Sequence, residues 1–241
     1  MIVLALDTAG AACRAALFDA TAGRLLAVAG EEIGKGHAEH LLGFIDMALD
    51  SAGRELDAVD RIAVAVGPGS FTGIRVGVAA ARGFGLALDR PVVGISTLST
   101  LAFSARANSG SQEVLAVIDG RREDLFCQSF AADGTPSSRP ELWPLPKARE
   151  HFAGYRGAII GSGAALLAGL PDAVSGRITP DPVDIAALVQ LGALADPQEA
   201  PARPLYLRGP DAKPQEGFAV ARAQDSRAQG GETGDGEGQT P

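Results

Sequence analysis

The chain has 241 residues and a net charge of −8, with 46% hydrophobic and 21% charged residues. This composition is typical of a globular protein with one large domain or two lobes. Acidic residues outnumber basic ones and no dense Lys/Arg cluster occurs, which disfavours tight nucleic-acid binding by the chain alone. We also expect no membrane span, no signal peptide and, with only Cys13 and Cys127, no disulfide framework, so the cytoplasm is the predicted location.

The first half of the chain predicts the order βββαβαβα. The predicted strands cover residues 2–7, 13–19, 24–32, 61–67 and 91–96, and the predicted helices cover about 37–52, 73–88 and 97–107. The second half again begins with strands, over 113–120, 124–131 and 139–145. A short helix near Ala148, a strand over 157–163 and helices near Ala164 and Asp184 follow. We therefore predict an N-terminal lobe over 1–106 and a second lobe over 107–214.

The composition changes near Gln215, where Gly, Gln and Glu replace large apolar residues. Such a segment buries too little apolar surface to fold, so the sequence predicts a disordered acidic tail over 215–241.

The segment "GPGSFTGIR", which starts at Gly67, looks like a phosphate-binding loop that opens into a helix. It has no lysine for a Walker motif, and Thr72 occupies the last glycine position of a dinucleotide fingerprint. Two interpretations stay open. The loop is a tight structural turn capped by Ser70 or Thr72, or it presents backbone N–H groups to an anion. The candidate anion or nucleotide residues are Asp7, Gly67, Gly69, Ser70, Thr72 and Asp119.

The two helices on either side of this loop carry more apolar surface than one sheet covers. In the first helix, Leu42, Ile45 and Leu49 form one stripe, and Leu41, Phe44 and Ala48 form a second. The second helix has only Arg75 and Arg82 as charged residues, and Gly73, Gly77 and Ala81 recur every four residues. Either neighbouring helices of the same chain or an external partner covers the second stripe.

Side chains for catalysis or metal binding are sparse. His37 and His40 share a helix, but no further Cys or His completes a metal set, and no GxSxG nucleophile motif occurs. Asp7 and Asp119 each end a strand, one in each predicted lobe. They are suited either to a cleft that holds a magnesium-bound phosphate or to capping local turns.

Several segments together resemble the TsaB (YeaZ-like) family, and the resemblance covers about residues 1–214. They are "LALDTAGAACRAALFD", "GHAEHLLGFIDMAL", "VAVGPGSFTGIRVGVAAARGFGLAL", "PVVGISTLSTLA" and "PLYLRGP". The resemblance implies an α/β fold of the actin-like ATPase (ASKHA) class, with two lobes that each hold a mixed sheet flanked by helices. It also implies an inactive relative of the catalytic subunit TsaD, without cofactor or metal. Thr97 and Leu101 stand about where TsaD has its metal-binding histidines.

The resemblance further implies that TsaD pairs with the first two long helices, that the ATPase TsaE docks on the pair, and that tRNA is handled only through the complex. The implied role is support of threonylcarbamoyl transfer to N6 of the tRNA adenosine next to the anticodon. The partner-binding candidates are His37, His40, Leu41, Phe44, Ile45, Ala48, Ile74, Gly77, Val78 and Ala81. An independent ATP-dependent kinase or ATPase of the same fold, or a peptidase, is the alternative, and a homodimer is possible for the isolated chain.

Overall fold

A computed structural model of the chain describes residues 1–109, 112–167, 174–175 and 183–208. The predicted tail over 215–241 lies outside these residues. The strands are β1 (Ile2–Asp7), β2 (Ala12–Asp19), β3 (Arg24–Glu32), β4 (Arg61–Gly67), β5 (Val92–Ser96), β6 (Val114–Asp119), β7 (Asp124–Phe130), β8 (Glu141–Pro144), β9 (Ala158–Ile160) and β10 (Val174–Ser175). The helices are α1 (His37–Ala52), α2 (Phe71–Leu88), α3 (Thr97–Ser109), α4 (Leu145–His151) and α5 (Ile185–Leu194).

The first sheet has the strand order β3-β2-β1-β4-β5. Strands β1, β2 and β3 form an antiparallel meander, whereas β4 and β5 run parallel to β1. Parallel neighbours require crossover connections, which α1 and α2 provide. Nearly every residue of β1 and β4 is buried, as expected for strands covered on both faces.

The second sheet repeats this plan with the order β10-β9-β6-β7-β8. Strands β6, β7 and β8 are antiparallel, and β9 runs parallel to β6. Apolar clusters cover both faces of this sheet, one around Leu98 of α3 and the other around Phe152 after α4. Two five-stranded mixed sheets flanked by helices confirm the predicted actin-like α/β fold class.

The two helix layers of the first sheet lie on opposite faces. Gly77 of α2 packs against Val64, and Gly192 of α5 packs against Ala63. Because neighbouring residues of a strand point to opposite faces, α2 covers one face of β4 and α5 covers the other. Helix α1 packs beside α2, on β2 and β3.

Helix α5, near the end of the described chain, packs on the first sheet. The sequence had predicted that all of residues 107–214 belong to the second lobe. Val183, Leu188 and Val189 belong to the same core as β1 and β4. Arg61 of β4 holds the end of α5, because its Nη1 donates to the carbonyls of Gly192, Ala193 and Ala195 at 3.1, 3.0 and 2.8 Å. The physical reason is the composition of α5, which is almost wholly apolar and needs cover from a large sheet.

Candidate partner interface and glycine loop

Helix α1 has one buried and one exposed side, and the exposed side keeps large apolar residues. Its buried residues are His37, Leu41, Ile45, Ala48 and Leu49. The outward side carries the acidic residues Glu39, Asp46 and Asp50, but also Leu42 and Met47, which are 56% and 55% exposed. His40 is exposed and stacks on the half-buried Phe44, with ring centroids 6.1 Å apart.

Helix α2 has the same division. Gly73, Ile74, Gly77, Val78, Ala81 and Gly85 form its buried side. The outward side holds Leu86, which is 86% exposed, together with the small residues Ala79, Gly83 and Ala87 and the charged Arg75 and Arg82. A single exposed leucine is common in globular proteins. Here two neighbouring helices of the same layer, α1 and α2, together expose Leu42, Met47 and Leu86.

The structure places most of the predicted partner-binding residues on the inward side. Eight of these residues are buried in the chain itself: His37, Leu41, Ile45, Ala48, Ile74, Gly77, Val78 and Ala81. Of the predicted set, His40 is exposed and Phe44 is half-buried, so these two side chains present the most surface to a partner. Helical spacing shows which residues share a side, but not how wide an arc the sheet covers.

The sequence did contain a signal for the outward side of α1. Glu39, Asp46 and Asp50 fall on one side of a helical wheel, and charged side chains stay in water. Met47 is exposed on the same side as Asp46 and Asp50, but it belongs to neither apolar stripe, so the stripes did not indicate it. On α2 the exposed Leu86 had no such acidic marker, since only two arginines interrupt its apolar sequence.

The glycine loop is a tight turn packed against the end of β1. A side chain at Gly69 would overlap the carbonyl oxygen of Ala9, and one at Gly73 would overlap the carbonyl oxygen of Thr8. The N–H of Ser70 donates to the carbonyl of Ala9 at 2.7 Å, and the hydroxyl of Thr8 donates to the carbonyl of Gly73 at 2.7 Å. These glycines therefore permit close backbone approach, which accounts for them without a ligand.

The caps of this turn involve the residues that were candidates for anion binding. Ser70 is the N-cap of α2, and its hydroxyl accepts from the N–H of Gly73 at 3.2 Å. Gly67 has a φ of 98°, a conformation that favours glycine, and precedes a cis peptide bond to Pro68. Thr72 is exposed in the first turn of α2. The helix begins at Phe71, two residues earlier than predicted, because Ser70 rather than Thr72 is its cap.

The two candidate carboxylates have different surroundings. Asp7 is fully buried, and its Oδ1 accepts from the N–H of Ala9 at 2.9 Å. Asp119 is exposed at the end of β6, where its Oδ1 accepts from the N–H of Arg121 at 2.8 Å and its own N–H donates to Ser162. Both carboxylates thus cap local turns, the second of the two roles considered for them.

The three histidines are separate in the structure. Nε2 of His37 lies 3.2 Å from the carbonyl oxygen of Gly10, His40 points outward, and His151 stacks on Trp143 at 4.5 Å between ring centroids. Thr97 and Leu101, at the positions where the resemblance places metal ligands in TsaD, are both buried in α3. Within the described ranges, no group of three or more His, Cys, Asp or Glu side chains is placed to hold a metal ion.

An aromatic cluster joins the start of α2 to the end of the described chain. Nε of Arg75 donates to the hydroxyl of Tyr206 at 2.7 Å, and the guanidinium of Arg75 lies 3.8 Å from the ring centroid of Phe71. The N–H of Leu205 donates to the carbonyl of Val66, and Arg208 pairs with Asp124 of β7 at 2.7 Å. Residues 205–208 therefore connect the glycine loop with the second sheet, a connection that the sequence did not reveal.

Helix α2 is the one helix among the described residues with the length and composition to cross a membrane. It has 18 residues and a mean hydropathy of 1.2. Its apolar residues have another explanation, since the buried side packs on β1 and β4 as a helix of a globular core does.

Comparison with known proteins agrees with the family resemblance. Residues 28–136 match the family model TsaD, described as tRNA N6-adenosine threonylcarbamoyltransferase. The chain is 35% identical over 134 residues to an Escherichia coli protein named tRNA threonylcarbamoyladenosine biosynthesis protein TsaB, and 36% identical over 143 residues to its namesake in Haemophilus influenzae. These two matches span 56% and 59% of the relatives' own lengths, so the chain matches little more than half of each.

Two comparisons extend over nearly the whole of the relative. An uncharacterized protein of Mycobacterium bovis is 35% identical over 217 residues, which is 88% of this chain and 94% of that protein. A crystal structure from Pseudomonas aeruginosa, titled as an uncharacterized protein with similarity to peptidase YEAZ, is 31% identical with a TM-score of 0.71 and covers 86% of this chain and 99% of that one. The sequence motifs, the two-sheet fold and these full-length matches together show that the chain belongs to the TsaB/YeaZ-like family.

Proposed function

We propose that this chain is a non-catalytic subunit in the biosynthesis of tRNA threonylcarbamoyladenosine, and that it pairs with a TsaD-type subunit through the outward faces of α1 and α2. The observation that carries the proposal is the exposed apolar surface of these two helices, on a chain whose relatives are named for this pathway. In this role the transfer of the threonylcarbamoyl group belongs to the partner, and tRNA and the ATPase TsaE engage the pair in the cytoplasm.

The surroundings of the glycine loop support a non-catalytic role. The loop's glycines contact the backbone of Thr8 and Ala9, and its candidate carboxylate Asp7 is buried and bonded to the N–H of Ala9. Thr97 and Leu101 offer no imidazole at the positions where the resemblance places metal ligands in TsaD. A kinase or ATPase would need an open phosphate site there, because transferring phosphoryl groups are stabilised by cations and backbone N–H groups.

The experiment uses charged substitutions on the exposed helix layer. Leu86→Asp and Met47→Asp place a carboxylate where a partner helix would exclude water, so we expect the TsaD-type subunit to bind at least about tenfold more weakly. Leu194→Asp is the matched control, because Leu194 is 79% exposed at the end of α5, and α5 lies on the opposite face of the sheet. Co-elution of the purified subunits and calorimetry give the affinities.

The outcome separates the alternatives. If Leu86→Asp and Met47→Asp bind the TsaD-type subunit as well as Leu194→Asp does, the interface assignment is wrong. Calorimetry of the isolated chain with ATP and Mg²⁺ tests the kinase or ATPase alternative, which micromolar binding would support. The buried Val78, 4% exposed, is unsuitable for this test because a carboxylate there would disrupt the fold itself.

A further inference from the structure

The aromatic cluster at the start of α2 lies on the same outward side of the helix as the exposed Leu86. Leu86 lies about three helical turns after Arg75, roughly 16 Å along the axis, and the exposed Arg82 lies between them on the same side. Phe71 and Tyr206, next to Arg75, are 49% and 48% exposed. The proposed partner-binding side of α2 therefore continues into a group of two exposed rings and an arginine.

The side chain of Arg75 is held in place by the chain itself. Its guanidinium lies 3.8 Å from the ring centroid of Phe71, and its Nε donates to the hydroxyl of Tyr206 at 2.7 Å. The two rings are in contact, with centroids 5.3 Å apart. An arginine that is already fixed in this way loses less conformational entropy when a partner binds than a mobile surface arginine does.

Tyr206 is fixed in turn by its neighbours on both sides. The N–H of Leu205 donates to the carbonyl of Val66 at 2.8 Å, and the guanidinium of Arg208 pairs with Asp124 at 2.7 Å. The Tyr206 ring therefore reaches α2 from a segment that is bonded both to β4 and to β7. This anchoring makes the group of Phe71, Arg75 and Tyr206 a preorganised surface.

The Nη atoms of Arg75 are the part of this group that remains available to a ligand. A guanidinium has five N–H donors, and the bond from Nε to Tyr206 uses one of them. Among the residues that the structure describes, no carboxylate forms an ion pair with Arg75. The remaining N–H groups form a planar fork, which matches a carboxylate because its two oxygens accept two parallel hydrogen bonds.

The charges of the surrounding layer favour a protein carboxylate over a nucleic-acid phosphate. The outward side of the neighbouring α1 carries Glu39, Asp46 and Asp50, and the chain has a net charge of −8. Such a surface repels a polyanion, whereas one carboxylate of a partner needs only the one fixed arginine. Aromatic rings beside an arginine are also typical of the residues that dominate the binding energy of protein interfaces.

We propose that Arg75 is the charged anchor of the partner interface and binds a carboxylate of the TsaD-type subunit. Phe71 and Tyr206 act as positioning residues, because they hold the guanidinium and keep water away from the ion pair. Leu86, further along the same side of α2, supplies apolar contact. The inference rests on the proposed function and adds to it the residues that determine which partner surface fits.

Calorimetry of the full-length chain with the purified TsaD-type subunit, at several salt concentrations, tests the anchor. Arg75→Ala should raise the dissociation constant about tenfold or more and make it less dependent on salt, because an ion pair is lost. Arg75→Lys keeps the charge but not the planar fork, so it should recover only part of the affinity. Arg139→Ala is the matched control, since Arg139 is exposed between β7 and β8 of the second sheet and should change neither quantity.

Tyr206→Phe tests whether Tyr206 acts through Arg75. The substitution keeps the ring and removes the hydroxyl that accepts from Nε. We expect the dissociation constant to rise about threefold or more in the wild-type background, and not to rise further in the Arg75→Ala background. Equal weakening in both backgrounds would overturn the positioning role, because Tyr206 would then act independently of Arg75.

Leu86→Asp separates a failure of this inference from a failure of the proposed function. If Leu86→Asp weakens binding and Arg75→Ala does not, the anchor is wrong and the proposed function stands. If neither substitution weakens binding, both are wrong. Fluorescence anisotropy of tRNA with the assembled pair covers the other occupant: loss of tRNA binding in Arg75→Ala, with subunit affinity unchanged, would assign the rings to a nucleobase and overturn the inference.

Discussion

Substitution of Gly73 by alanine tests whether the glycine loop is a packing device or a ligand loop. A methyl group at Gly73 would overlap the carbonyl oxygen of Thr8, and it would lie 3.2 Å both from the carbonyl carbon of Thr8 and from the hydroxyl of Ser70. Two of these three atoms belong to the backbone of Thr8, which directly follows β1 and cannot rotate away as a side chain can. Relief therefore requires α2 to move off the sheet, a kind of overpacking that costs about 1–3 kcal/mol.

The same helix contains a matched control. A methyl group at Gly83 meets no atom within 4 Å, so Gly83→Ala should show only the better helix propensity of alanine, about 0.5–1 kcal/mol of added stability. The two substitutions are chemically identical and both fall in α2. The propensity gain is common to both, so only the overpacking separates them. We therefore expect the free energy of unfolding of Gly73→Ala to lie about 1–3 kcal/mol below that of Gly83→Ala.

Urea unfolding monitored by circular dichroism measures this difference, provided that the m values of the three proteins agree. If Gly73→Ala were as stable as the wild type, a methyl group would fit between α2 and Thr8, and close packing would not explain the glycine at this position. The glycines of the loop would then need another explanation, and the anion-binding interpretation would return.

Two further predictions concern the core. Arg61→Met removes the three hydrogen bonds that hold the end of α5, and we expect about 2 kcal/mol of destabilisation in urea, with Arg61→Lys losing less; no loss with Arg61→Met would show that α5 docks by apolar contacts alone. Burial raises the pKa of the Cys13 thiol to about 11 and of the Cys127 thiol to about 12, with smaller contributions from Asp7 and Glu141 respectively. Because both pKa values are raised in the folded state, this stabilisation is fully present below the unfolded thiol pKa and is lost as the pH rises from there through 11 to 12. The free energy of unfolding should therefore fall above about pH 9, less steeply in Cys127→Ala, and rapid labelling of both thiols in the native protein at neutral pH would contradict the assignment.

The sequence by itself determined the elements of the first sheet and its topology class. The strands 2–7, 24–32 and 61–67 and the helix 37–52 have the predicted bounds, because alternating and helical apolar patterns are local and the turns between them are marked by glycine. The resemblance of the glycine loop and its flanking helices to one family was likewise present in the residue order alone.

Only the tertiary structure decided which side of each helix is available to a partner. Leu41 and Leu42 are neighbours of equal hydrophobicity, yet the first is buried on the sheet and the second is exposed. The difference depends on the arc that β2 and β3 cover, which arises from contacts between residues far apart in the chain. The return of α5 to the first sheet and the contact of Tyr206 with α2 are decided in the same way, because long-range packing and not local propensity determines them.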